Sequence, residues 1–259
     1  MSALIFFPLV VSQVEQHIFR SRAELLLSQV QSLRLKTTPW SEVLSQLSGW
    51  SGQSRFDDQC NGSQCSIAIT LIEPVYSYAS QNVPFARMDD YLRWRFKLSS
   101  DRSPIFQMWL GLLRLYMILG GRPAKVIANV GMRDGVVSSK GFTVNIATYW
   151  HNIPGLYAGG WGDLALIAHI GSVPQLDSVS ANYADPQLKL HPSYVINRQN
   201  GCCSLSEGYV HFTPDTDPGT VQRLMQFNLS CLTRLHPCLD QIDIIPTAWK
   251  GYASANSGN

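Results

Sequence analysis

Apolar residues in the first fifty positions fall into two patterns. Residues 3–11 form a short apolar run, Ala-Leu-Ile-Phe-Phe-Pro-Leu-Val-Val. It is well below the roughly 20 residues needed to cross a bilayer. It reads as the remnant of a membrane anchor, or as a buried N-terminal strand or helix turn. From Ser12 to Lys36 the pattern becomes helical. Phe19, Ala23, Leu26, Val30 and Leu33 recur at alternating spacings of four and three, a seam on one helix face. The seam covers about two heptads, so the expected role is packing on the chain's own domain. Thr38-Pro39 supplies a cap and a first-turn proline for a short helix over 39–48, which Gly49 and Gly52 end.

Strand patterns follow. Ser66–Val75 is rich in β-branched residues. Leu92, Trp94 and Phe96 alternate with Arg93, Arg95 and Lys97, which gives a strand with one apolar and one basic face. Ser103-Pro104 opens a helix over Ile105–Leu119, apolar except for Arg114 and stopped by Gly120-Gly121. Its expected place is a buried central position. Lys125–Met132 and Gly141–Tyr149 read as strands around Arg133-Asp134-Gly135, whose Asp-Gly step is a hairpin signal. Leu164–Ile170, Tyr194–Asn197 and Tyr209–Thr213 are further strand-like runs, and Asp217-Pro218 caps a helix reaching about Met225. A short helix is expected after Pro246. The fold class expected is α+β, a mainly antiparallel sheet flanked by an N-terminal helix and a buried central helix. The domain plan runs from an apolar segment or anchor remnant at 1–11, through a helical membrane-proximal region at 12–52 and a globular domain at 53–252, to a loose tail at 253–259.

The composition narrows the setting. Charged residues are 15% of the 259-residue chain, against roughly 25% in ordinary soluble domains, so apolar surface in need of cover is expected. A net charge of +2 is too small to imply a nucleic-acid partner. The basic residues are concentrated, however: residues 87–140 hold ten Lys/Arg against four Asp. Within this segment Arg93, Arg95, Lys97 and Arg102 are expected to face anionic lipid headgroups.

Six cysteines fall into local pairs. Cys60 and Cys65 enclose a flexible Asn-Gly-Ser-Gln turn, Cys231 and Cys238 lie seven apart, and Cys202 and Cys203 are adjacent. A zinc site needs further well-spaced Cys or His partners, which do not follow. Disulfides at Cys60–Cys65 and Cys231–Cys238 are therefore expected, and with them an oxidising compartment.

Candidate chemistry is sparse. No hydrolase elbow, zinc-protease, phosphate-loop or kinase motif is present. Gly160-Trp161-Gly162-Asp163-Leu164-Ala165 has the spelling of a dinucleotide loop but lacks a good strand before it, so it reads as a glycine turn with a packed Trp. No cofactor is expected, and nothing specifies a small-molecule ligand. Asp215 and Asp217 form an oxygen-rich cluster that is weak as a cation site; Asp217 reads better as a helix cap. A thiol nucleophile from Cys202 or Cys203 with His211 as base is the weak catalytic candidate. Asn61-Gly62-Ser63 and Asn228-Leu229-Ser230 match the glycan acceptor pattern.

Several of these stretches resemble an uncharacterised acidobacterial family. They are Arg20-Ser21-Arg22-Ala23-Glu24, the Cys60/Cys65 pair after Phe56-Asp57-Asp58, Phe212-Thr213-Pro214 with Asp217-Pro218, and Gln226–His236 ending in Pro237-Cys238. The resemblance implies an extracytoplasmic protein with one N-terminal membrane segment and disulfides, and no particular activity. The function expected is a membrane-anchored, non-enzymatic binding or structural subunit of an envelope assembly, whose partners are the membrane and other envelope proteins. The alternatives are an extracytoplasmic hydrolase or thiol enzyme, and a filament or scaffold subunit assembling through the N-terminal helix.

Overall fold

The computed structural model describes residues 2–56, 60–74, 115–117, 120–149, 161–171, 194–200, 205–213, 216–234, 238 and 241–248. The chain opens with one helix, α1 (Ser2–Ser32), followed by α2 (Trp40–Gln46) and a 3-10 turn at Ser48–Trp50. Strands β1 (Ser54–Phe56), β2 (Gln64–Ile72), β3 (Ala124–Arg133), β4 (Val136–Tyr149), β5 (Trp161–Gly171), β6 (Tyr194–Asn200) and β7 (Leu205–Phe212) come next. Helix α3 (Pro218–Leu224), a 3-10 turn at Ser230–Leu232 and α4 (Gln241–Ile244) close the described chain.

The seven strands form one sheet in the order β1-β2-β3-β4-β5-β7-β6. Every neighbouring pair is antiparallel except β5 and β7, which run parallel. The class is α+β, as the sequence pattern implies. The β3–β4 connection is the Asp-Gly hairpin expected. Asp134 and Gly135 sit at φ 53° and 80°, and positive φ at both central residues gives the turn whose twist matches that of the strands.

Alternation explains the core. Ile67, Ile69 and Leu71 on β2 are buried, as are Val126, Ala128 and Val130 on β3 and Phe142, Val144 and Ile146 on β4. These side chains share one face, and α1 lies across β3 and β4. The expected helix seam (Phe19, Ala23, Leu26, Val30 and Leu33) belongs to this core, so α1 packs on its own domain. Residues of α2, α3 and the C-terminal segment 229–248 complete the cluster.

Several boundaries differ from the sequence expectation. Helix α1 starts ten residues early and takes in the 3–11 run, Pro8 included. The pattern change at residue 12 is one of polarity, and helix propagation depends on backbone propensity, which nothing in 2–11 except Pro8 opposes. Thr38 is not the cap of α2. Pro39 holds that position without a side-chain bond, and the Thr38 hydroxyl instead accepts from the Arg34 N–H at 2.8 Å. Trp161 and Gly162 are part of β5 and not a glycine turn, because their backbone pairs with Tyr149 and Thr148 of β4. Strand β1, too short to show a pattern, was not expected. The strand expected around 92–97 lies outside the described residues, as does the central helix except for 115–117.

The N-terminal membrane segment that the resemblance implies finds no support: among the described residues no helix is long and apolar enough to cross a membrane. Helix α1 is long enough, at 31 residues and about 46 Å. Ser12, Gln13, Glu15, Gln16 and His17 interrupt its apolar stretch.

Candidate functional site: the two faces of the first helix

At the N-terminal half of α1 the inner face is polar. Gln16 is fully buried, and its side-chain amide meets the backbone N and O of Arg122 at 3.2 Å each and Tyr116 Oη at 2.8 Å. The Tyr116 hydroxyl donates to Glu73 Oε1 at 2.7 Å, and Glu73 has no exposed surface. Burial and the neighbouring Glu73 carboxylate hold the Tyr116 phenol well above its ordinary pKa. Arg122 donates from Nη1 to the carbonyls of Met117 and Gly121, and burial lowers its pKa. Gly120 closes this corner. Its φ is +90°, and a Cβ there meets the Gln13 side chain, so only glycine fits. Buried polar groups of this kind must pair, and their pairing fixes how α1 sits on the sheet.

The C-terminal half is held differently. The Trp50 indole N–H donates to Gln29 Oε1 at 2.7 Å, and Arg22 lies over the Trp50 ring with its guanidinium carbon 5.7 Å from the centroid. Gln31 Nε2 donates to the Met225 carbonyl, and Arg20 bonds both Glu24 and Thr233. Lys140 of β4 donates to the last carbonyls of the helix.

The opposite face of α1 is apolar and uncovered. Val11, Val14, Ile18 and Leu25 are 40–56% exposed, and Val10 joins them at 43%. At 100° per residue Val11, Val14, Ile18 and Leu25 fall within about 60° of one another, away from the buried seam. Their spacing is heptad-like, with Ser21 completing the row between Ile18 and Leu25. Helix α1 therefore carries two apolar seams, one used by its own sheet and one presented to the outside. The sequence signal for the outer seam was present in the 11-14-18-25 spacing, but the more complete inner seam masked it.

The other expected site residues fall as follows. Cys60–Cys65 and Cys231–Cys238 are bonded, with Cα separations of 4.2 and 5.1 Å. The first bridge closes a turn in which Asn61 Oδ1 accepts from the N–H groups of Ser63 and Gln64 and from the Ser63 hydroxyl. Asn228 Oδ1 likewise accepts from the Ser230 N–H. Asp217 is the N-cap of α3. It accepts from the Thr220 N–H at 2.8 Å, and that bond holds its carboxyl below the usual range. Asp215 lies outside the described residues, and among those described no group of three or more His, Cys, Asp or Glu is placed to hold a metal. His211 is half-buried on β7 and stands in register with His169 of β5 and Val195 of β6. Cys202 and Cys203, its proposed partners, lie outside the described residues, as do Arg93, Arg95, Lys97 and Arg102.

The fold and the site define a disulfide-closed α+β domain built on a long, two-faced N-terminal helix. No family model, curated protein or solved structure matches the chain.

Proposed function

We propose that this chain is a non-enzymatic structural or binding subunit of an envelope assembly, with its disulfide-closed domain outside the cytoplasm and the N-terminal end of α1 against a membrane. The continuity of α1 carries the reading. The apolar 3–11 run and the exposed Val10, Val11, Val14 and Ile18 belong to the same rigid helix that Gln16 and the inner seam lock to the sheet. A membrane contact at that end thus holds the domain at a set orientation rather than on a loose tether. The two disulfides support an oxidising location. The basic residues Arg93, Arg95, Lys97 and Arg102 add attraction to anionic headgroups in this reading.

The test is flotation of the full chain with vesicles of neutral and of anionic lipid, at low and high salt. Binding to both, strengthened on anionic vesicles at low salt, is expected. A chain that stays in the soluble fraction with every vesicle ends the membrane part of the proposal. Alkylation of the denatured native protein without reductant addresses location. Four blocked cysteines at 60, 65, 231 and 238 are expected; free thiols at all four oppose an oxidising compartment.

A further inference from the structure

We propose that the Cys60–Cys65 bridge is a reversible thiol–disulfide exchange site for small thiols of the glutathione class, in which Cys60 takes the incoming thiol and Cys65 is the resolving cysteine. The inference stands on the bridge itself and needs neither the membrane contact nor the assembly proposed above. Exchange requires a thiolate to reach a sulfur of the bridge, so access decides which bridge and which sulfur react. Cys231 and Cys238 are both buried in the core cluster. Cys60 is exposed, and so are Asn61, Gly62, Ser63 and Gln64, the whole turn that the first bridge closes. A Cβ placed on Gly62 meets no atom within 4 Å, so that part of the turn leaves room for an approaching molecule. The two halves of the bridge differ as well. Cys65 is buried, and its backbone is fixed in β2 in register with Met132 of β3. Cys60 precedes the strand. An incoming thiol therefore meets the sulfur of Cys60 first.

The step balances without an added oxidant. The incoming thiolate forms a bond to Cys60 Sγ and the Cys60–Cys65 bond breaks. The electron pair leaves on Cys65 Sγ, which takes up the proton that the incoming thiol gave up. The products are a mixed disulfide on Cys60 and a free thiol on Cys65. The turn then promotes the return step. The Asn61 N–H donates to the Gln64 carbonyl at 2.8 Å, and Asn61 Oδ1 accepts from the N–H groups of Ser63 and Gln64 and from the Ser63 hydroxyl. The Asp134 N–H of the neighbouring hairpin donates to the Ser63 carbonyl at 2.8 Å. None of these bonds passes through sulfur. They keep the two cysteines, whose Cα atoms are 4.2 Å apart in the closed bridge, close together after it opens. Cys65 attacks Cys60 from this held position and expels the thiol, a unimolecular step helped by proximity.

Incubation of the folded full chain with graded reduced glutathione tests the site. The reaction is quenched with acid, free thiols are alkylated, and peptides are mapped by mass spectrometry. Glutathione on Cys60, the alkyl group on Cys65 and an intact Cys231–Cys238 bridge are expected, with an unchanged circular dichroism spectrum. Glutathione on Cys65 overturns the assignment of roles. Opening of Cys231–Cys238 at the same or lower thiol concentration overturns the selectivity, and no adduct at any concentration that leaves the fold intact overturns the site. Reclosure is read by returning the adduct to neutral, thiol-free buffer. The native chain should lose its glutathione, whereas Cys65→Ser, loaded with oxidised glutathione, should keep it. A native adduct that persists overturns the resolving role of Cys65. Asn61→Ala removes the three bonds to Oδ1 and should reclose several-fold more slowly; an unchanged rate overturns the part given to the turn.

Discussion

The Lys140 ammonium of β4 donates to the Leu33 carbonyl at 2.6 Å and to the Gln31 carbonyl at 2.9 Å, and so closes the C-terminal end of α1 from the neighbouring strand. Helix ends leave their last carbonyls without intrahelical partners, and a cation there also meets the negative end of the helix dipole. The residue is 6% exposed, and burial pushes its pKa down to about 8.

Lys140→Met keeps the stem but removes the donors. A loss of about 2 kcal/mol is expected from carbonyls stripped of partners, read from urea unfolding at pH 7. The native protein also has a defined pH response. The unfolded lysine titrates near 10.5 and the folded one near 8, so between these values the unfolded chain binds more protons. Stability contributed by this group therefore rises as pH climbs from 8 toward 10.5, and below 8 the cost of burying the charge is fully present. Urea midpoints at pH 7.5, 8.5 and 9.5 should show this upward component in the native chain and lose it in Lys140→Met.

Tyr116→Phe deletes the hydroxyl that joins Gln16 of α1 to the buried Glu73. A cost of about 1–3 kcal/mol is expected, since buried polar groups lose a partner. The effect should be local as well as global. Amide hydrogen exchange over residues 12–18 should accelerate more than over 26–32, which Lys140 and Trp50 still hold. Equal protection in both halves of α1 opposes the role given to this network.

Leu25 and Leu26 are neighbours in sequence with opposite surroundings, 51% and 0% exposed. Leu26→Ala opens a cavity in the core and should cost about 3 kcal/mol. Leu25→Ala should leave monomer stability within about 0.5 kcal/mol. Thermal melts of the two variants at low protein concentration check the assignment of inner and outer faces.

The two bridges close loops of a few residues each, which by chain entropy is worth about 2–2.5 kcal/mol apiece. Replacing Cys231 and Cys238 together by Ala should cost more than replacing Cys60 and Cys65. Both members of the former pair belong to the core cluster, while in the latter Cys65 is buried but Cys60 lies in an exposed turn. Chemical denaturation of both double variants measures the difference.

Much of this architecture was legible in local sequence. The Asp134-Gly135 turn, the Asp217-Pro218 cap, the inner seam of α1 and the two spaced cysteine pairs all stand as the residues imply. Each is decided within a few residues: by allowed backbone angles, a side chain's reach to its own backbone, helical repeat or short loop closure. Strand β1 and the added length of β4, β6 and β7 were less legible, because pairing partners extend a strand beyond its apolar pattern.

What the residues alone could not decide was which apolar and polar positions end up covered. Val14 and Val30 look alike in sequence, yet one faces out and the other reaches the sheet. Lys140 reads as an ordinary surface lysine and becomes a buried helix cap, and β5 meets β7 in parallel across an intervening strand in the chain. These are contacts between residues some 40 to 110 positions apart. Local chemistry sets the repeat and the polarity of a segment, but burial is a property of the partner it meets, and only the closed fold brings that partner within reach.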